Sequence, residues 1–178
     1  MASLGQRMIG AMQADVKTFQ EIEADPTAIG QAVTVIVIAG VASLIGNIFR
    51  VGLMGGLLSL VVALVMYALW SVLIVVIGTK VMPEPTTKAD FNEAFRVIGF
   101  TASPGVFNVL AIIPFLGPLI SGVISIWMLV IAVIAVREVL DYSNTGRAIL
   151  VVLFVFVIYW IVMFLILTPL LIGRAMVG

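Results

Sequence analysis

Four long stretches of the chain contain no Asp, Glu, Lys or Arg, and they constrain the fold more than any other feature. They cover residues 29–49, 53–79, 97–136 and 148–172. The hydrocarbon core of a bilayer is about 30 Å thick, so a helix needs about 20 apolar residues to cross it. Each stretch is therefore long enough for one crossing, and residues 97–136 are enough for two.

The longest stretch is interrupted in its middle by Pro114, Gly117 and Pro118. We interpret it as two helices joined by a tight turn, with Pro118 at the first helical position, where its missing N–H costs nothing. The predicted fold class is all-α: a polytopic membrane protein with five transmembrane helices and an N-terminal amphipathic interfacial helix. The predicted spans are residues 29–49, 53–79, 97–114, 118–136 and 148–172.

The composition excludes several other classes of protein. Hydrophobic residues make up 63% of the chain and charged residues 10%, against about 45–50% and about 25% in soluble domains. The formal net charge is zero, so the chain has no basic footprint for nucleic acid. Cys and His are absent, which excludes disulfides, His-based triads and metal sites ligated by either residue. We predict no enzymatic activity, no cofactor and no metal.

The distribution of Lys and Arg indicates the orientation, because cytoplasmic loops carry an excess of both. With the N-terminus inside, seven basic residues lie in inner segments and two, Arg50 and Arg174, lie in outer ones. All nine acidic residues also fall inside. We therefore predict a cytoplasmic N-terminus and an extracytoplasmic C-terminus, with polar chemistry confined to the cytoplasmic face.

Residues 1–25 are predicted to form a cytoplasmic unit, and residues 26–178 the transmembrane domain. Residues 3–25 have the spacing of one amphipathic helix. Its apolar face consists of Leu4, Met8, Met12, Val16, Phe19 and Ile22, and its polar face of Gln6, Arg7, Gln13, Lys17, Gln20 and Glu21. Such a helix either lies at the lipid headgroups or docks a partner, and the two interpretations are compatible.

Three inner segments each carry charges of both signs, which predicts a cytoplasmic charge network. Its members are Glu21, Glu23, Asp25, Arg96, Arg137, Glu138, Asp141 and Arg147. We expect the acidic residues before the first span to lie near Arg137 and Arg147, with Arg96 as an additional partner. The sequence favours a structural role over ligand binding, and the alternative is that these residues are solvated helix ends.

Asn108 is an amide in the middle of a predicted span. An unpaired amide in hydrocarbon is costly, so we expect it to bond to Ser121, Ser125 or the carbonyl freed by Pro104, or to contact a ligand. Pro104 also predicts a kink in the third span. The polar residues of the third and fourth spans together predict an intramembrane polar seam, consisting of Thr101, Ser103, Asn108, Ser121 and Ser125.

Small residues form stripes on the first two spans, and such stripes let helices approach closely in lipid. They are Ala39, Ala42, Ser43 and Gly46 on the first span and Gly52, Gly55, Gly56, Ser59 and Ala63 on the second. The fifth span has only bulky residues over 150–167, so it should face lipid or a separate partner. We predict a non-enzymatic scaffold that assembles with a second copy or with another integral membrane protein. The alternative is a channel, or a lipid or small-solute transport protein that uses the polar seam.

Three short polar strings, residues 19–26, 96–105 and 136–148, resemble those of bacterial members of the Yip domain family (Ypt/Rab-interacting-protein-like). They read Phe-Gln-Glu-Ile-Glu-Ala-Asp-Pro, Arg-Val-Ile-Gly-Phe-Thr-Ala-Ser-Pro-Gly and Val-Arg-Glu-Val-Leu-Asp-Tyr-Ser-Asn-Thr-Gly-Arg-Ala. The resemblance implies five spans in the bacterial inner membrane and a cytoplasmic N-terminus. Eukaryotic members are implicated in vesicle trafficking with Rab GTPases, but this chain lacks their Asp-Leu-Tyr-Gly-Pro motif. The partners expected are membrane lipids and another copy or another integral membrane protein.

Overall fold

The described backbone of the protein, seen in a computed structural model, is helical and contains no strand. The structure describes the backbone of residues 2–177 and the side chains of residues 2–161 and 164. In chain order its elements are α1 (Leu4–Met12), α2 (Val16–Ala24), α3 (Ala28–Gly46), α4 (Ile48–Val76) with a π-helical turn (Ile77–Val81), α5 (Phe91–Phe100), a 3₁₀ helix (Ser103–Ile112), α6 (Gly117–Val139) and α7 (Thr145–Val177).

The N-terminal residues form a helical hairpin, so the prediction of a single helix over residues 3–25 is wrong. Ala14 adopts a left-handed backbone conformation, with φ at 54°. Asp15 then caps α2, because its carboxylate accepts hydrogen bonds from the backbone N–H of Thr18 at 3.0 Å and from the Thr18 hydroxyl at 2.6 Å. Gly10 permits the close approach of the two helices, since any Cβ there would overlap the Thr18 side chain.

The hairpin packs lengthwise against α6 rather than standing free of the bundle. Gln20 donates to Glu138 at 3.1 Å near one end of α6, and the Trp127 indole donates to the Met12 carbonyl at 2.9 Å. The second bond also pairs a carbonyl left open at the C-terminus of α1. Phe19 and Ile22 are fully buried, so the amphipathic face drives this packing. Its location at the lipid headgroups stays a prediction.

Four helical segments are long and apolar enough to cross a membrane: Ala28–Gly46, Ile48–Val81, Phe91–Ile112 and Gly117–Val139. These lengths and compositions support a multi-pass membrane protein. The described side chains of α7 cover a shorter apolar segment, Thr145–Ile161, although the helical backbone continues to Val177. A fifth crossing by α7 stays a prediction.

The second span begins with a short helical turn that follows α3 directly. Gly52 interrupts α4 with φ at 68° and ψ at 174°, a conformation that glycine adopts without a Cβ penalty. The uninterrupted part of the helix therefore starts at residue 53. At its other end the π-helical turn carries the helix beyond the predicted limit at residue 79.

The third span changes its helix type at the position of the predicted bend. After α5 the chain continues as a 3₁₀ helix, with Pro104 in its first turn. Pro104 cannot donate to Phe100, and the Ser103 hydroxyl bonds the Phe100 carbonyl at 2.6 Å instead. The turn that follows has Phe115 at φ 65°, and α6 begins at Gly117, which puts Pro118 one position later than predicted.

Small residues let α3 lie directly against the third span. A Cβ added to Gly99 would come within 2.8 Å of the Ala32 Cβ, and one added to Gly105 within 2.7 Å of the Ala39 Cβ. Two turns further along α3, Gly46 faces the backbone carbonyl of Asn108 with no space for a side chain. Residues 32, 39 and 46 recur every seven positions on α3, so one continuous strip of the helix makes this interface.

Candidate functional site

The charged residues gather at the end of the bundle that carries the α2–α3 junction, the start of α5 and the α6–α7 loop; we call it the charged end. Its most buried member is Arg7, whose residue is 1% exposed. The guanidinium donates to Gln31 at 3.0 Å, to Glu21 at 3.0 Å and to Asp25 at 2.7 Å. Arg7 therefore joins α1, α2 and the beginning of α3 through one side chain.

These contacts stabilise the ionised carboxylates. Hydrogen bonds from Thr27 and from Arg7 lower the pKa of Asp25 to about 2. The pKa of Glu21 is lowered by the backbone N–H of Ala2 and by Arg7. Both acids are therefore charged at neutral pH, and their charges compensate the buried guanidinium.

The pairings predicted for the charge network are not the ones that the structure forms. Arg96 lies next to the N-terminal hairpin as expected, but its guanidinium bonds the backbone carbonyl of Glu23 rather than a carboxylate. This carbonyl is one of the last in α2, where helix carbonyls lack internal partners. Arg96 therefore caps α2 with a cation at its negative end.

Arg137 and Arg147 do not pair with Glu21, Glu23 or Asp25 in the part of the chain that the structure describes. Arg147 lies 3.3 Å from Glu84 and donates to the Pro83 carbonyl at 3.2 Å. Arg137 bonds the Tyr142 carbonyl at 3.4 Å and lies 3.9 Å from Glu138. The physical reason is that the loop after the π-helical turn docks onto the α6–α7 loop and supplies the nearer acid.

Two loops thus form a second cluster at the charged end. The Tyr142 hydroxyl bonds the Met82 carbonyl at 2.7 Å and lies 3.3 Å from the carbonyl of Gly78, both at the π-helical turn. The backbone N–H of Ser143 donates to Glu84 at 3.1 Å. Beside this cluster lies an open groove of about 670 Å³, whose charged lining residues are Lys88, Arg137, Glu138 and Asp141.

The sequence interpretation missed Arg7, Gln31, Glu84 and Tyr142 as members of the charged end. Arg7 and Glu21 are equidistant from Ala14 along the chain, as partners across a helical hairpin must be. The signal for that hairpin was Asp15 followed three residues later by Thr18, a sequence that suits a helix N-terminus.

Glu23 has a half-buried side chain that forms no ion pair in the described part of the chain. Burial, followed by the nearby charges of Asp141, Glu93 and Glu138, raises the pKa of Glu23 to about 7, against the opposing effect of Arg96. Four acids from α2, α5 and the end of α6 therefore face one another. In the described residues no group of acidic side chains is arranged to hold a metal ion.

Replacing Glu23 by Gln should stabilise the protein at pH 8 but not at pH 5. The pKa of Glu23 is higher in the folded than in the unfolded protein, so the protonated side chain favours the folded state. This contribution to stability is fully present below pH 4.5 and is lost as the pH rises through 7. We expect the substitution to recover about 1–2 kcal/mol at pH 8. Thermal unfolding in detergent at both pH values measures this, and an equal shift at both would contradict it.

Three members of the predicted polar seam line two cavities, whereas Ser103 and Ser121 line neither of them. Thr101 and Ser125 line a cavity of about 440 Å³ together with Tyr67, Trp70, Phe156 and Tyr159, which we call the α4–α6 cavity. Asn108 lines a neighbouring cavity of about 350 Å³ with Ser43, Asn47, Ser59 and Gly105, which we call the α3–α4 cavity.

The hydrogen bonds of the seam are mostly local. Thr101 bonds the Ile98 carbonyl at 2.6 Å, and Ser125 bonds the Ser121 carbonyl at 2.8 Å. Ser103 is buried beneath the kink. The predicted bond from Asn108 to either serine or to the carbonyl freed by Pro104 is not formed among the described residues, because Ser103 takes that carbonyl and the Asn108 amide faces the α3–α4 cavity.

A comparison with protein families identifies the architecture. Residues 9–166 match the model of the Yip1 domain. The chain belongs to the Yip1 domain family. The match extends from α1 through all four long apolar segments into α7. It includes the cluster around Tyr142 and the acids Glu21 and Asp25, whereas Arg7 lies just before the matched residues. Neither the curated proteins nor the solved structures gave a match.

Membership in the Yip1 domain family confirms the resemblance found in the three polar strings. Each string now has a structural place. Residues 19–26 form the second half of the hairpin, residues 96–105 carry Arg96 and the kink, and residues 136–148 form the α6–α7 loop. The three strings meet at or near the charged end, which explains why these polar residues stand out in an otherwise apolar chain.

Proposed function

We propose that this Yip1 domain protein is a non-enzymatic integral membrane protein that assembles with a second copy of itself through the outer face of α7. The described ion pairs lie at one end of the bundle, whereas Arg50 lies at the other. The predicted spans contain no Asp, Glu, Lys or Arg in the membrane interior. Acid–base and metal chemistry therefore have no obvious place in the membrane interior.

The position of α7 is the observation that carries this proposal. The small-residue stripe of the first span packs inside the chain, as Gly46 against Asn108 illustrates, and on the second span Gly56 packs against Leu44. By contrast, α7 packs on α6 and more sparsely on α4. Its outer face leaves Leu153, Val157 and Trp160 more than half exposed.

A transport function is less well supported by the same geometry. A hydrophilic path needs polar groups in a continuous row, whereas the lining of the α4–α6 cavity is almost entirely apolar, and Thr101 and Ser125 bond carbonyls of their own segments. Assembly requires only the exposed face of α7. For this reason we place assembly ahead of solute transport.

The proposal includes an orientation and a location. The excess of Lys and Arg at the charged end supports a cytoplasmic position for that end, and hence a cytoplasmic N-terminus and an extracytoplasmic C-terminus. The resemblance to bacterial members supports the inner membrane. In this orientation the hairpin, Arg96 and the groove beside Tyr142 all face the cytoplasm.

Disulfide cross-linking in native vesicles tests assembly through α7. The chain has no native Cys, so Leu153→Cys introduces a single thiol at the centre of the proposed interface. We expect mild oxidation to give a covalent homodimer, because symmetric helices bring residue 153 of each copy together.

The matched control is Leu58→Cys, at a similarly exposed leucine on α4, which is 64% exposed against 53% for Leu153. It should remain monomeric under the same oxidation. Equal cross-linking of both variants would indicate random collision, and cross-linking of Leu153→Cys only to proteins of other mass would refute self-assembly through α7.

A further inference from the structure

A gap between α4 and α6 runs into the bundle at the depth of the membrane. The two helices make at most marginal contact with each other, while each packs on α5 and on α7. The α4–α6 cavity fills this gap, with Thr101 at its base and Phe156 and Tyr159 on its α7 side. Its lining is almost entirely apolar, and the hydroxyl of Tyr67 interacts with that of Thr101.

The α3–α4 cavity continues this gap toward the opposite end of the bundle from the charged end. The two cavities share Ala63, Tyr67 and Met128 as lining residues, so they adjoin. Along the two adjoining cavities the lining changes from aromatic rings near Trp70 to the amides and hydroxyls of Asn108, Asn47 and Ser59. One amphipathic cleft therefore extends from the α3–α4 turn to the middle of the bundle.

Arg50 adds a cation beside the polar end of the cleft. It follows Asn47 within one helical turn, and its exposed side chain makes no ion pair in the described part of the chain. From Gly56 to Trp70 the lining residues of α4 span about 21 Å at a rise of about 1.5 Å per residue. One leaflet of a bilayer with its headgroups measures about 20 Å, so the dimensions match one lipid molecule.

We propose that this cleft binds one phospholipid, with its phosphate at Arg50, its ester groups beside Asn47 and Asn108, and the end of an acyl chain in the α4–α6 cavity. An apolar cavity of this size does not hold ordered water, which requires several polar partners, and an empty one forfeits the dispersion contacts of its lining. An acyl chain supplies those contacts, and bilayer lipid is present at high concentration beside the cleft. The site lies beside the α7 face proposed for assembly, since Phe156 and Tyr159 of its lining contact Trp160, but lipid binding does not require that assembly.

Native mass spectrometry of the full chain in mild detergent tests the site, after incubation with phosphatidylglycerol of one chain length. The wild-type protein should retain one lipid per chain. Ala63→Phe, which fills the junction of the two cavities, should lower this occupancy about tenfold, and Ser125→Phe should do so independently from the α6 side. Val65→Phe adds the same ring to the lipid-facing side of α4, where Val65 is 61% exposed, and should bind as the wild type does.

Two further measurements identify the bound molecule and exclude misfolding as the cause of a lost lipid. Arg50→Gln should weaken retention of phosphatidylglycerol, while retention of an uncharged diacylglycerol with the same chains stays unchanged. Size-exclusion profiles and melting temperatures establish that each variant is folded. The proposal is overturned if the wild type retains no lipid, if folded Ser125→Phe retains as much lipid as Val65→Phe, or if Arg50→Gln weakens both lipids equally.

Discussion

Replacing Arg7 by Met is expected to lower the free energy of unfolding by about 3 kcal/mol, because removing one partner of a buried ion pair leaves the others uncompensated. Arg7 is 1% exposed, and it is bonded to the side chains of Glu21 in α2, Asp25 at the end of α2 and Gln31 in α3. Without it, the neighbouring carboxylates of Glu21 and Asp25 lose the cation that pairs with both. Unfolding by SDS in mixed micelles measures the change.

Lys17→Met is the matched control, since Lys17 is an exposed cation on α2 that forms no ion pair in the described chain. It should change the unfolding free energy by less than about 0.5 kcal/mol. Arg7→Lys should recover only part of the loss, because an ammonium cannot reproduce the planar fork of donors. Similar effects of Arg7→Met and Lys17→Met would show that the hairpin is held by apolar contacts alone.

The membrane-spanning plan of the fold could be predicted because bilayer thickness imposes a strict length on apolar helices. Residues 97–136 illustrate this. Their length required two crossings, and Pro114, Gly117 and Pro118 placed the turn within a residue of where it lies. The bend at Pro104 followed from its missing N–H in the same way. Both are local consequences of residue chemistry.

The change to a 3₁₀ helix after the bend was not predictable, because it depends on tertiary contacts. Its geometry fits Gly105 against Ala39 and the Asn108 carbonyl against Gly46. These partners are 66 and 62 positions apart in the sequence. The small-residue stripe indicated close packing of α3, but a stripe does not specify which helix it meets.

The hairpin and the charge pairs were missed for a related reason. Apolar residues of α1 and α2 stay nearly in phase across Ala14, so helical periodicity alone predicts one continuous helix. Placing Arg7 on the solvated face of that helix removed it from consideration. Because the chain turns at Ala14, Arg7 pairs with Glu21 and Asp25. The sequence analysis placed these acids near Arg137 and Arg147.

Two glycines of α3 should respond to the same substitution with opposite signs. Gly46→Ala places a methyl group against the backbone carbonyl of Asn108, which cannot move aside as a flexible side chain would. We expect the free energy of unfolding to fall by about 2–3 kcal/mol, the range for overpacking a tight interface. Gly30 has nothing within 4 Å of an added Cβ, so Gly30→Ala should be neutral or stabilise by up to about 1 kcal/mol through helix propensity alone.

Comparing Gly46→Ala with Gly30→Ala separates the effect of contact with the third span from the general effect of replacing a helical glycine. Both residues lie in α3, and in each case one methyl group is added. SDS titration of the two variants in the same micelles gives the two free energies directly.

Because the Asn108 carbonyl lies at the start of the α3–α4 cavity, displacement of the 3₁₀ helix in Gly46→Ala should also reduce lipid retention, whereas Gly30→Ala should leave it unchanged. If Gly46→Ala were as stable as Gly30→Ala, the 3₁₀ helix would not be fixed against α3, and the strip of residues 32, 39 and 46 would not be the interface that holds the third span in place.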